Sequence, residues 1–430
     1  MFRGYKTELD PNNCQRTLLL KSAGTARFTY NWGLAEIQRV FDANMMLTRS
    51  NMEGPKQPIP TAMDLHRKLT ALKGTKFPWM YEVSKWAPQA SLQNLELAVK
   101  HFFRNCKLKK QGKLKGKIGF PKKKNRRKGV GSFKLYESIK VFENRIKLPR
   151  LGIIKLKEHD YIPTHGVRIM YATVSEHAGR WFVSVQVEQD APPQAPKKDG
   201  HPVIGVDLGV KTLAVCSDGQ SFENPKPLKK NLRKLKRLCR AVSRKTKGGK
   251  NRRKAVKKLA KLHYRIGCIR QDTLHKITTK LTKTKSVIGI ETLNVAGLLK
   301  NHKLAQAMSD VGMSEWRRQL EYKGKLYGCR IVLADRFFPS SKTCNVCGWI
   351  NKDLELKDRE WTCLSCGTKH DRDFNASVNL EKVAASSAET QNACEGRGPL
   401  PDLKRVIQVA SVQQELNGEP RGTAVVVSCP

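Results

Sequence analysis

Two patterns in this sequence could do chemistry, and they lie almost against each other. Cys344 and Cys347 form one CxxC pair, and Cys363 and Cys366 form a second after a gap of 15 residues. Four thiolates in two tight knuckles at this spacing suit one tetrahedral zinc ion. The four cysteines complete the ligand set, so the zinc is expected to be structural. Asp371 follows Cys366 after only four residues, and Asp373 comes two positions further on.

Three carboxylates stand out by position. Asp207 ends the apolar run VIGVD, Glu291 ends VIGIE, and Asp373 opens a helical segment. An acid at the end of a buried strand is costly unless it is paired or binds a cation. Singly, Asp207 could serve a turn, Glu291 the surface, and Asp371 or Asp373 a helix N-cap. Together they are acids at element ends in a segment crowded with lysine. Carboxylate oxygens suit Mg²⁺, and two such ions about 3.5–4 Å apart can hold the attacking water and the leaving oxygen of a phosphodiester. That combination points to a nuclease.

The composition fits such a substrate. Lys+Arg number 82 against 37 Asp+Glu, a formal charge of +45. This charge suits a polyanionic partner, with a ribosomal-type protein as the alternative. The hydrophobic fraction is 39%, as expected of a chain with extensive basic surface. No apolar run approaches the ~18 residues of a membrane span, and the start MFRGYKTELD has no signal-peptide core. Four of the 12 cysteines form the metal pattern. The other eight are expected to be reduced thiols.

The elements that must position these residues can be read from periodicity. FRGYKTEL alternates as a strand, and apolar residues recur at helical spacing from Gln15 to about Asn44. VSKWAPQASLQNLELAVKHFFRN is a second helix with Pro88 near its start. The run KLKKQGKLKGKIGFPKKKNRRKGVG that follows carries Lys122, Lys123, Arg126 and Arg127 as candidate phosphate contacts. Residues 132–189 break into short alternating runs, a set of antiparallel strands at barrel or sandwich spacing. APPQAPKKDG marks a domain boundary. HPVIGVDLGVKTLAVCSDGQSF then reads as three strands with a bend at Gly209 and a hairpin at Asp218-Gly219. Lys226 to Gln271 holds 20 Lys+Arg and no Asp or Glu. Leu232, Leu235, Leu238 and Val242, then Val256, Leu259, Leu262, Ile266 and Ile269, stripe two helices there. Their basic faces, with Arg244, Lys245, Arg252 and Arg253, are left free for phosphate. SVIGIETLNV is a buried strand, WRRQLEYKGKLYGCRIVLADRFF a helix and a strand, and DFNASVNLEKVAASSA a helix. Residues 388–430 are expected to be a loosely ordered tail.

The segments GVDLGVKTLAV, IGIETLNVAGL, SSKTCNVCG and CLSCGTKHDRDFNASVNL together resemble the TnpB proteins of bacterial insertion sequences, relatives of type V CRISPR effectors. ARFTYNWGLA, QASLQNLELAVKHFFR and KIGFPKKK extend the likeness into the first half, so that it covers roughly residues 1–382. The resemblance implies a multidomain α+β protein. Residues 200–338 and 371–387 would be an RNase H-like, RuvC-type nuclease domain, split by a zinc-finger insert at 339–370. Residues 1–13 and 128–199 would be a β-barrel wedge domain, and 14–127 a helical recognition domain. Asp207, Glu291 and Asp373 match the catalytic acids and would hold two Mg²⁺; Asp371 would be structural, and Arg372 a phosphate contact. The zinc module would set where the Asp373 helix begins. The implied activity is RNA-guided cleavage of double-stranded DNA beside a short flanking motif, with a guide RNA from the transposon end, in the bacterial cytoplasm at the nucleoid. A DNA transposase and a non-cleaving nucleic-acid-binding regulator are the alternatives.

Overall fold

The structure, a computed structural model, describes residues 1–49, 55–126, 129–190, 202–355 and 357–395. Two compact units divide at Asp190.

The first unit opens with β1 (Phe2–Asp10), whose alternation turns Tyr5, Thr7 and Leu9 inward. Three helices follow, α1 (Asn13–Arg49), α2 (Ala62–Lys73) and α3 (Trp86–Lys110). The periodicity of α1 outruns the expected span at both ends. Sequence reading missed α2, although its start carries a capping box in which Thr61 and Asp64 satisfy each other's amides. Six strands come next: β2 (Ser132–Leu135), β3 (Lys140–Phe142), β4 (Arg145–Leu148), β5 (Gly152–Leu156), β6 (Val167–His177) and β7 (Arg180–Gln189). With β1 they make one antiparallel sheet in the order β2-β6-β7-β1-β5-β4-β3. The order is linear; among the described residues no pairing joins β2 to β3. The helix α1 serves two cores. Leu19, Ala23 and Ala26 pack on the sheet, while Tyr30, Leu34 and Ile37 pack against α2 and α3.

The second unit begins with β8 (Val203–Leu208), β9 (Thr212–Cys216) and β10 (Ser221–Glu223). The basic helices α4 (Pro227–Ser243) and α5 (Lys250–Thr284) follow. Leu232, Leu235 and Leu238 are half-buried on α4 while Lys234, Lys236 and Arg237 are exposed. On α5 the apolar stripe takes Ala255, Leu262 and Ile266; Val256, expected on it, faces outward. Then come β11 (Val287–Ile290), α6 (Val295–Leu298), α7 (Ala305–Val311), α8 (Met313–Tyr327) and β12 (Arg330–Leu333). A small hairpin of β13 (Glu360–Thr362) and β14 (Lys369–Asp371) leads into α9 (Arg372–Glu395). The tail expected at 388–430 lies, beyond Glu395, outside the described residues.

The sheet order is β10-β9-β8-β11-β12, with β8, β11 and β12 parallel and β9 and β10 antiparallel. Helix α8 backs this sheet through Trp316 and Leu320, both fully buried. Helix α9 comes down on two glycines. Gly205 and Gly289 are register partners on β8 and β11. A Cβ at Gly205 would lie 1.9 Å from the Ser377 carbonyl, and one at Gly289 would lie 2.3 Å from that of Leu380. Only hydrogen at both positions lets the helix backbone sit this close to the strands.

Candidate active site and metal centre

In-register parallel pairing decides where the acids fall. Val206 faces Ile290 across the β8–β11 ladder, so the next residues, Asp207 and Glu291, leave the same sheet edge side by side. The third acid, Asp373, is the second residue of α9, the helix seated on the glycines of those two strands. Two of the carboxylates act on the third. Burial, then the charges of Glu291 and Asp373, push the Asp207 carboxyl up to about 8, opposed by the Arg372 guanidinium and a hydrogen bond from the Leu208 amide. Such crowding of like charge is a site that a cation would relieve. The hard oxygen donors fit Mg²⁺, but they are more widely spread than a single-ion set. Among the described residues, the four cysteines are the only group of three or more Cys, His, Asp or Glu whose ligand atoms all lie within 4.8 Å of one another.

Glu291 and Asp373 each lie against a side-chain partner. Glu291 Oε1 accepts from the hydroxyl of Ser340. Asp373 Oδ1 lies 3.5 Å from Arg359 Nη1. Asp371 takes a different job, accepting from the Phe374 amide at 2.8 Å as the helix cap. A cavity of about 420 Å³ opens beside Glu291, between Leu208, Leu293 and the α8 residues Trp316, Arg317 and Arg318.

The cysteine centre is closed. Cys344 Sγ lies 3.6 Å from Cys366 Sγ, and Cys347 Sγ 3.5 Å from Cys363 Sγ. Zinc–thiolate bonds of about 2.3 Å in a tetrahedron put sulfurs about 3.8 Å apart, so the donor set fits zinc. The thiolate form is favoured at Cys366, whose thiol is held down to about 6 by the Thr368 hydroxyl and amide, and at Cys347, lowered by the Trp349 amide. Burial pushes Cys363 up to about 11. Sequence reasoning missed His370. It is buried, packs at a tilt against Trp361 with ring centroids 4.7 Å apart, and sets Nε2 3.1 Å from Cys344 Sγ. A histidine directly before the acidic pair was the available signal.

The candidate nucleic-acid contacts are dispersed. Lys122, Lys123, Arg126, Arg244, Lys245 and Arg253 are exposed, and Arg252 is half-buried. Arg127 lies outside the described residues. Arg372 is held by protein: Nη1 donates to the Glu355 carbonyl at 2.6 Å, and Nη2 lies 3.5 Å from Ser341 Oγ. It braces the cysteine segment against the start of α9. No helix of the described residues is long and apolar enough to cross a membrane.

Three family models match the chain. One, OrfB_IS605, described as "Probable transposase", covers residues 172–302; a "Cas12f1-like, TNB domain" covers 314–380; a "Helix-turn-helix domain" covers 1–45. Here residues 1–45 form β1 and most of one unbroken helix, α1. A Streptomyces pristinaespiralis protein named "Putative RNA-guided DNA endonuclease" is 35% identical, with 96% of each chain covered. The Escherichia coli K12 "Putative RNA-guided DNA endonuclease InsQ" is 29% identical over 88% of this chain and 91% of its own. Among solved structures, CasPhi-2 (Cas12j) bound to crRNA covers 89% of this chain and 98% of its own at 10% identity and a TM-score of 0.43.

Proposed function

This chain belongs to the TnpB family of insertion-sequence proteins, that of the OrfB_IS605 model, and on that footing we propose that it is an RNA-guided DNA endonuclease. Its reaction is hydrolysis of phosphodiesters in double-stranded DNA beside a short flanking motif, at a site made of Asp207, Glu291 and Asp373. The unit carrying these acids is read as an RNase H-like, RuvC-type domain, and the cysteine segment as its zinc-bearing insert. The seven-stranded sheet is read as the wedge and α1–α3 as the recognition part.

What supports the reading most is the convergence of charge on Asp207. Two further carboxylates act on it from separate elements, in a chain whose formal charge is +45. Lysine and arginine draw in the nucleic acid by its backbone, whereas the acids reserve one spot for divalent cations. Two Mg²⁺ held by Asp207, Glu291 and Asp373 would supply an activated water and stabilise the leaving oxygen. Ser340 orients Glu291, Arg359 lies against Asp373, and Asp371 caps the helix that carries it. Zinc held by Cys344, Cys347, Cys363 and Cys366 would be structural. The guide, transcribed from the transposon end, selects the sequence by base pairing, and the protein holds the heteroduplex by shape and charge. The protein works in the bacterial cytoplasm, at the nucleoid.

The test is reconstitution. RNA that co-purifies with the protein is sequenced, resynthesised and returned to RNA-stripped protein with a matching duplex. Double-strand breaks that require both the RNA and Asp207 are expected. Defined cutting without RNA, or joined DNA ends in place of breaks, would overturn the reading in favour of a transposase.

A further inference from the structure

The cysteine centre and the carboxylates are joined by buried side chains that neither metal site uses as ligands. Ser340, 3% exposed, donates its hydroxyl to Glu291 Oε1. The Ser340 carbonyl accepts from Asn379 Nδ2 at 2.8 Å. The Thr343 carbonyl accepts from Asn375 Nδ2 and from Asn379 Nδ2, each at 2.7 Å. Asn375 Oδ1 accepts from the Asn345 amide at 2.9 Å, one residue past Cys344. Asn375 and Asn379 are 1% and 4% exposed. A buried amide whose donors and acceptor all go to one backbone segment locks that segment to its own helix, because a broken bond there cannot be replaced by water. The segment locked in this way, residues 340–345, has the partner of Glu291 at one end and Cys344 near the other. The helix that does the locking is α9, which also carries Asp373.

We propose that Ser340 is a positioning residue for Glu291, held by Asn375 and Asn379, and that through this bracket an intact Cys344 knuckle sets the divalent-cation affinity of the carboxylate site. The inference rests on the reading of Asp207, Glu291 and Asp373 as that site. A glutamate reaches its ligand position through three rotatable bonds. A hydroxyl donating to Oε1 removes much of that freedom and leaves the second oxygen for a cation. Partners of this kind, hydrogen-bonded to a ligand and not to the metal, are worth about 10–100-fold in metal affinity. A purely structural serine would alter melting and leave cation affinity where it was.

The probe is Mn²⁺ alone, titrated into the full-length, zinc-loaded protein and followed by the spin-resonance signal of the free ion. Ser340→Ala should weaken Mn²⁺ binding by about tenfold, and Ser340→Cys, which keeps a weak donor, by less. Asn379→Ala should weaken it comparably. The double variant should be no worse than the weaker-binding single one, because both residues act through one bond to Glu291. Asp207→Ala serves as the control and should abolish the binding. If Ser340→Ala and Asn379→Ala bind Mn²⁺ like the wild type while Asp207→Ala does not, the bracket is wrong and the carboxylate site stands. If Asp207→Ala also binds like the wild type, the carboxylate reading fails and the bracket falls with it. Should Ser340→Ala not fold, Asn379→Ala with the same readout decides alone.

Discussion

Asp207 sits where burial and two neighbouring negative charges hold its carboxyl up to about 8. In the unfolded chain the same group titrates near about 3.9, so the folded state binds this proton more tightly. The resulting stabilisation is fully present below pH about 4 and is lost as the pH rises to about 8. In magnesium-free buffer the melting temperature should therefore fall across that window, and Asp207→Asn should remove much of the fall. Added Mg²⁺ at pH about 8 should restore the wild type and leave the variant unchanged. An Asp207→Asn curve that tracks the wild type from pH about 4 to about 8 would put the strain elsewhere. The neighbouring pair separates by role. Asp373→Ala should abolish cleavage with nucleic-acid binding retained. Asp371→Ala, which loses a cap bond to Phe374, should cost about 1 kcal/mol of stability and keep most activity. The reverse pattern would shift the catalytic assignment by two residues.

The elements that bear these residues depend on the absence of two side chains. Gly205→Ala or Gly289→Ala would drive a methyl group into the α9 backbone, at 1.9 Å from the Ser377 carbonyl and 2.3 Å from that of Leu380. Backbone in a packed helix cannot step aside locally, so the helix must lift from the sheet, at about 1–3 kcal/mol or more. Denaturant unfolding should show that loss, and cleavage should drop further than melting does because Asp373 moves with the helix. The pair α4 and α5 poses a different question, since leucines face inward along α4 and lysines and arginines face out. Neutralising Arg244, Lys245, Arg252 and Arg253 together should weaken RNA or DNA binding. The log–log salt slope should flatten by about 0.7–0.9 for each phosphate that is no longer neutralised. An unchanged slope would make this face a solvated surface only.

At the scale of the whole molecule, a +45 chain binds any nucleic acid at low salt, so binding alone says little about guidance. The discriminating outcome is the site of cutting: RNA-stripped protein should leave a duplex intact, and cognate RNA should restore breaks at the matching sequence. Zinc held by the four cysteines would act at this scale too. The cysteine segment touches the start of α9 through Arg372, Asn375 and Asn379. Elemental analysis should find about one zinc per chain, and removing it should depress cleavage at limiting Mg²⁺ more than at saturating Mg²⁺. Folded protein with no zinc would remove this centre from the account.

Cysteine spacing, acids at the ends of apolar runs and helical periodicity were legible because each is a relation between residues near in sequence. That reach is enough for the four-sulfur set and for the starts of β11 and α9, but β11 ends at Ile290, short of its expected run, and α9 continues to Glu395 through residues expected to belong to the tail. The family resemblance, also carried by local motifs, is what offers Asp373 in place of Asp371 as the third acid of the proposed site. The short helices α6 and α7 escaped, and so did α2, although its capping box and the spacing of Ala62, Leu65 and Leu69 are local signals. Sequence also offered Arg372 as a phosphate contact, and gave no sign that its guanidinium donates to the Glu355 carbonyl. It gave no hint that Gly205 and Gly289 stand side by side under α9, or that Ser340 reaches Glu291. Those relations depend on the register of parallel strands joined through long crossovers and on a helix that returns from the far end of the chain. Close packing decides them, since it selects which distant backbone can approach and which buried polar group can find its partner.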